Sequence, residues 1–171
     1  MTSELLDQAL VEEAAKKSGL VWVRAAGAPT ARALWHVWHE GAVCLVGDGT
    51  GEQPLSGLAD GGSAEVTVRS KDKGGRLVTW AATVAELAPD SPEWEAAVAE
   101  LKGKRLNAPD GEEMPRRWAA ECRVLRLTPT GSVAPLPSDD QAEPPMPTPA
   151  TTREPVPAGL PRLLAKRGKK K

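Results

Sequence analysis

The 171-residue chain contains neither phenylalanine nor tyrosine, and it has only two cysteines and two histidines. Aromatic packing must therefore come entirely from six tryptophans. Two cysteines are too few for a disulfide-stapled mini-protein, and Cys44 and Cys122 lack the paired spacing of a zinc site. They read as small buried hydrophobes in a reducing compartment. No apolar run reaches the roughly 18 residues that a membrane-spanning helix needs. The start Met1-Thr2-Ser3-Glu4 lacks the basic and apolar regions of a signal peptide, so a cytoplasmic location is expected. The net charge is −1, and residues 1–129, with four more acids than bases, lack the cation excess of a broad nucleic-acid footprint.

The residues that are present divide the chain in two. Ten of the sixteen prolines lie from Pro129 onward, and the last aromatic is Trp118. Residues 1–129 hold 15 Lys+Arg against 19 Asp+Glu, whereas residues 130–171 hold 7 against 4. A folded domain is expected over residues 1–129. Residues 130–171 read as a disordered Pro-rich linker with a basic tail, too poor in large apolar side chains to offset their ordering entropy. Six cations in the last ten residues offer a docking element for an anionic partner. A solubilising tail is the simpler account.

Hydrophobic periodicity supplies the elements. Thr2 or Ser3 can cap a helix running to about Ser18, with a Leu6, Leu10 and Ala14 stripe and Gly19 as a left-handed stop. Strand character follows at Leu20–Arg24, Arg32–Glu40 and Ala42–Gly47, with a tight turn at Glu40-Gly41. Residues 48–62 form a glycine-rich loop with room for one helical turn near Leu55–Leu58. Ser63–Lys71 and Arg76–Leu87 alternate as strands around Asp72-Lys73-Gly74-Gly75. Ser91-Pro92-Glu93 opens a second helix with Trp94, Ala97, Val98 and Leu101 buried. Met114–Glu121 is a short helix and Cys122–Thr128 a last strand. Six hairpin-linked strands with flanking helices predict an α+β protein on a small antiparallel barrel.

The chemistry-bearing stretch is Leu34-Trp35-His36-Val37-Trp38-His39. In a regular strand Trp35, Val37 and His39 share one face, and Leu34, His36 and Trp38 the other. His36 and His39 cannot then grip one metal ion, and no carboxylate or cysteine cluster completes a site. The strand is bulky on both sides, so a helix, a second subunit or a planar cofactor must cover its outer face. A second stretch, Arg69-Ser70-Lys71-Asp72-Lys73-Gly74-Gly75-Arg76, places four cations and two glycines around a turn. It reads as an anion-binding rim or, more plainly, as a solvated hairpin. Lys102–Arg105 and Arg116-Arg117 read as solvated helix ends. No nucleophile elbow appears, and Gly47-Asp48-Gly49-Thr50-Gly51 is not followed in register by a phosphate-binding helix.

The run Ala33–Gly47, the Gly57-Leu58 pair, the strand ending near Val68 and the closing Cys122–Pro129 together resemble the split-barrel flavin-binding proteins of the pyridoxamine 5′-phosphate oxidase type. The resemblance covers about residues 4–129. It implies a six-stranded antiparallel split barrel of Greek-key type, a homodimer, and FMN or a deazaflavin at the subunit interface. It also implies flavin-dependent oxidoreductase activity on an unknown small molecule. Trp35, His36 and Trp38 would line the ring site. The family's basic pair falls here on Pro54 and Ser56, so Gln53, Ser56, Arg69, Ser70 and Lys71 are the substitutes toward the phosphate. The alternative is a cofactor-free degenerate barrel acting as an interaction module. A haem-binding variant with His36 or His39 as axial ligand is a third reading.

Overall fold

The computed structural model describes residues 2–108 and 110–135, with side chains from Glu4 onward. The expected disordered tail therefore lies outside the described residues, apart from its first six positions. In chain order the elements are α1 (Thr2–Lys17), β1 (Leu20–Ala25), β2 (Arg32–Trp35), β3 (Val37–His39), β4 (Ala42–Gly47), β5 (Ser63–Arg69) and β6 (Arg76–Glu86). These are followed by α2 (Pro92–Lys104), a 3-10 turn (Gly111–Glu113), α3 (Met114–Glu121) and β7 (Arg123–Val133). No helix among the described residues is long and apolar enough to cross a membrane.

The strands form one antiparallel sheet in the order β2-β1-β5-β6-β7-β4-β3. There are seven strands rather than the expected six, because the run Arg32–Glu40 divides at His36. Up to Trp35 the chain pairs with β1 (Trp35 opposite Leu20), and from Val37 it pairs with β4 (Val37 opposite Cys44). Periodicity continues unbroken through such a change of partner, so the sequence pattern does not show it. The two edges of the sheet are thus consecutive in the chain, one residue apart. The sheet curls until it nearly meets itself, which leaves little unpaired edge.

Two apolar clusters lie on the two faces of this sheet. The inner one includes Val21, Leu34, Leu45, Trp80, Leu125 and Leu127, with Leu55 and Leu58 entering from the long loop. The outer one joins Val37, Cys44, Val46 and Val124 to Trp94, Leu101, Met114 and Trp118 of α2 and α3. β4 is buried along its whole length because it has barrel on one side and helices on the other. The expected alternation of the tryptophan-rich strand holds. Trp35 packs against the outer cluster and Trp38 against the inner one. Its outer face is covered by the chain's own α2 and α3, so a partner subunit is not needed to explain a strand bulky on both sides.

Local signals set several boundaries. Ser91 caps α2 from an extended conformation, its Oγ accepting from Trp94 N–H at 3.2 Å, with Pro92 at the first helical position. Glu40 and Gly41 both have positive φ (45° and 77°), the geometry of a two-residue hairpin turn between β3 and β4. Leu55–Leu58 is a turn, closed by Leu58 N–H to Leu55 O at 3.1 Å, and not a helix. β7 runs five residues past Thr128, to Val133.

α1 departs from expectation in phase. It buries Val11 and Ala15, while Leu6 and Leu10 are 66% and 47% exposed. A four-residue spacing sets the pitch of a stripe but not its phase, and stripes through 6-10-14 and 7-11-15 differ by one residue, about 100° of rotation. Tertiary contact selects the second, through a hydrogen bond between Ala15 O and the His36 ring. Gly19 follows the helix without adopting positive φ.

Candidate basic cleft

His36 sits at the break between β2 and β3 and is 5% exposed. Its Nε2 lies 3.0 Å from Ala15 O, so this nitrogen carries the proton, while Nδ1 is buried without a partner. Burial holds its pKa below the ordinary histidine value; the Ala15 bond opposes that, and the Lys104 charge adds to it. The neutral imidazole is the resting form at neutral pH. Beside it opens a cleft of about 520 Å³ lined by Lys16, Lys17, Trp35, His36, Lys104 and Arg105 among others.

At Ser18 and Gly19 this cleft meets a second, of about 360 Å³, lined by Trp22, Arg69, Ser70, Lys71 and Gly74. Trp22 is opposite Thr67 in the β1–β5 ladder. Arg69, two residues along, is its diagonal neighbour, and its guanidinium carbon lies 4.3 Å from the Trp22 ring centroid. Among the described residues, six cations and no carboxylate line the two clefts. Lys16 and Lys17 pair with Glu12 and Glu13 one turn back on exposed α1, and Arg105 pairs with Glu52. Lys104, Arg69 and Lys71 have no carboxylate partner among the described residues. The surface is therefore electropositive, with one indole in each cleft.

Of the residues singled out in the sequence, Trp35 and His36 line the first cleft and Arg69, Ser70 and Lys71 the second, and the two clefts share Ser18 and Gly19. Trp38 is not with them; it lines a separate cleft beside Trp80. Ser56 is exposed in the turn of the long loop. The Gln53 amide is engaged by backbone: its Oε1 accepts from Trp35 N–H at 2.8 Å, and its Nε2 donates to Trp35 O at 2.8 Å and Val46 O at 3.2 Å. His36 and His39 are on opposite faces, and no group of three metal-ligating side chains exists among the described residues. Cys44 is buried and its thiol is pushed up to about 11 by desolvation, which leaves it unreactive.

Glu52 is the residue that sequence reasoning missed. Its side chain is 1% exposed, although it stands in a glycine-rich loop. Its Oε1 accepts from Arg117 and from Trp118 Nε1, both at 3.1 Å, and Arg105 Nε approaches Oε2 at 3.2 Å. Arg117 also binds Asp110 at 2.6 Å, which holds that carboxyl below the usual range. Thus Arg105 and Arg117, expected as solvated helix ends, converge on one buried carboxylate. No periodic signal marks a lone acid between glycines. Arg105 in turn lies over Trp35, 5.6 Å from the ring centroid. Glu52 and Gln53, adjacent in the loop, therefore hold Arg105 and Trp35, two walls of the basic cleft.

No family model and no curated protein sequence matches the chain. Among solved structures, HutZ, the heme storage protein from Vibrio cholerae, matches with a TM-score of 0.52 at 15% identity, over 72% of this chain and 90% of HutZ. The two share one fold, the split barrel. The FAD and heme binding protein from Mycobacterium smegmatis (17% identity, TM-score 0.47, 89% of this chain and 90% of that one) and the flavocytochrome Anf3 from Azotobacter vinelandii (15%, 0.47, 91% and 85%) are also similar. At scores below 0.5 these two add nothing to the fold assignment.

Proposed function

We propose that the protein binds a planar, anionic cofactor of the flavin class, FMN or a deazaflavin, in the basic cleft, and acts as an oxidoreductase on a small molecule. The supporting observation is the juxtaposition of six lining cations, no carboxylate among the described lining residues, and one indole in each of the two adjoining clefts. A phosphate buried there needs compensating donors. Lys104, Arg69 and Lys71, without carboxylate partners, fit that need. Trp35 offers a flat apolar wall for a ring, and the unpartnered His36 Nδ1 is an acceptor for a ring N–H. When bound, a flavin supplies hydride transfer. The chain's own residues bind and orient it and keep His36 neutral. Homodimerisation belongs to this reading, and the exposed Leu6, Leu10 and Leu77 are the surface that a second copy would cover.

One observation favours the cofactor-free alternative. The loop after β4 carries no Lys or Arg, and the described cations that reach it are paired: Arg123 with Asp48 at 3.2 Å and Glu86 at 2.8 Å, and Arg105 and Arg117 with Glu52. Visible absorption of the purified full chain, before and after adding FMN or a deazaflavin, separates the readings. Flavin bands that remain after desalting are expected. Their absence from the isolated protein and after reconstitution rejects the cofactor reading, and a haem band in their place replaces flavin with haem as the ligand.

A further inference from the structure

A second cleft, of about 530 Å³, lies between the N-terminal half of α1 and the end of β7, and its character is opposite to that of the basic one. Its walls include the half-buried Trp38 of β3, Trp80 of β6, and Glu4 and Gln8 of α1. Among the described residues no lysine or arginine lines it, and Glu4 is its one carboxylate. Trp80 is 1% exposed, yet its Nε1–H is buried without a partner. An indole N–H left without an acceptor costs about 1–3 kcal/mol, which is why such a group is normally paired.

The backbone explains why the space is open there. Ala82 pairs with Pro129 and Trp80 with Val133, so two residues of β6 span four of β7. The extra residues form a bulge with Gly131 at φ 86°, tied down where Thr130 Oγ1 donates to Ala81 O at 3.2 Å. Pro129, Thr130 and Gly131 of the bulged segment line the cleft together with Trp80.

We infer that this cleft is a binding site for a small, flat, uncharged or cationic heteroaromatic compound that directs a hydrogen-bond acceptor at Trp80 Nε1 and packs against Trp38. The indole wall suits a planar ring, and a ring cation gains both from the indole face and from Glu4. An anion of the same shape is disfavoured by the negative indole face and by the Glu4 charge. The volume lies within the range of small-molecule sites. The site is separate from the basic cleft and does not depend on cofactor binding there.

The test uses three probes of matched ring and different charge: nicotinamide, 1-methylnicotinamide and nicotinate. Each is titrated into the full-length protein while the six indole N–H signals are followed by NMR, with Trp80 and Trp38 assigned from Trp80→Phe and Trp38→Phe. Nicotinamide and 1-methylnicotinamide are expected to shift the Trp80 signal, with the cation binding about two- to fivefold tighter than the neutral ring. Nicotinate is expected to leave the signal in place. The exposed change Glu4→Gln, which leaves the core intact, is expected to remove the cation's advantage while the neutral probe still binds. A Trp80 signal that none of the three moves, or one that nicotinate moves as readily as the cation, overturns the inference and leaves the cleft to water. FMN titration reads Trp22 and Trp35 in the same spectra, so the two clefts are scored independently.

Discussion

Gln53 binds Trp35 through both of that residue's backbone groups, accepting from its N–H and donating to its C=O, each at 2.8 Å. A side-chain amide thus acts as a strand partner at the point where the chain leaves β1 for β4. Replacing it with Gln53→Leu removes three hydrogen bonds and leaves half-buried peptide groups unpaired. A loss of about 2–4 kcal/mol is expected, read as a lower urea midpoint at unchanged slope. A change below about 0.5 kcal/mol would mean that water replaces the amide without penalty.

Glu52 should be as sensitive. Removing one member of a buried ion pair leaves its partners uncompensated, at about 3–5 kcal/mol. Arg105 and Arg117 keep 24% and 21% of their side-chain surface, so the lower end of that range applies to Glu52→Gln. The same variant should weaken anion binding in the basic cleft, because Arg105 loses its anchor over Trp35. Denaturant unfolding gives the first effect, and FMN titration of the folded variant gives the second.

His36 makes stability depend on pH. Its folded pKa lies below the unfolded value, so below about 6.5 the unfolded chain takes up a proton that the folded chain refuses. The contribution is therefore fully present above that pH and declines as the pH falls through it toward the folded pKa. The thermal midpoint should drop between about pH 7 and 5, and His36→Gln should flatten that part of the profile. An unaltered slope in the variant would assign the pH dependence to other groups.

The phase of α1 can be tested directly. Val11→Ala, at a 3% exposed position, is expected to cost about 1–2 kcal/mol through lost burial and a small cavity. Leu6→Ala, two-thirds exposed, should fall within about 0.5 kcal/mol of the parent as a monomer. If Leu6→Ala also shifts the light-scattering mass from dimer to monomer, the leucine surface is the subunit contact.

Anion binding in the basic cleft should weaken with salt, because exposed cations such as Lys71 and Lys104 act through screened charge. Lys71→Ala and Lys104→Ala are each expected to raise the FMN dissociation constant by about two- to tenfold, with little change in melting temperature. Binding that ignores both substitutions and ionic strength would place the ligand elsewhere.

Features under short-range control were legible in the residues alone. Ser91-Pro92 set the start of α2, and Glu40-Gly41 set the β3–β4 turn. Alternation through residues 34–38 placed Trp35 and Trp38 on opposite faces. Tertiary structure alone decided what depends on which element arrives opposite. It chose the face that α1 buries, because a helical stripe has pitch without phase. It divided one strand at His36, because periodicity does not report a change of hydrogen-bonding partner. It gathered Arg105, Arg117 and Trp118 around Glu52, because residues more than fifty positions apart meet only when the loop after β4 folds onto α2 and α3.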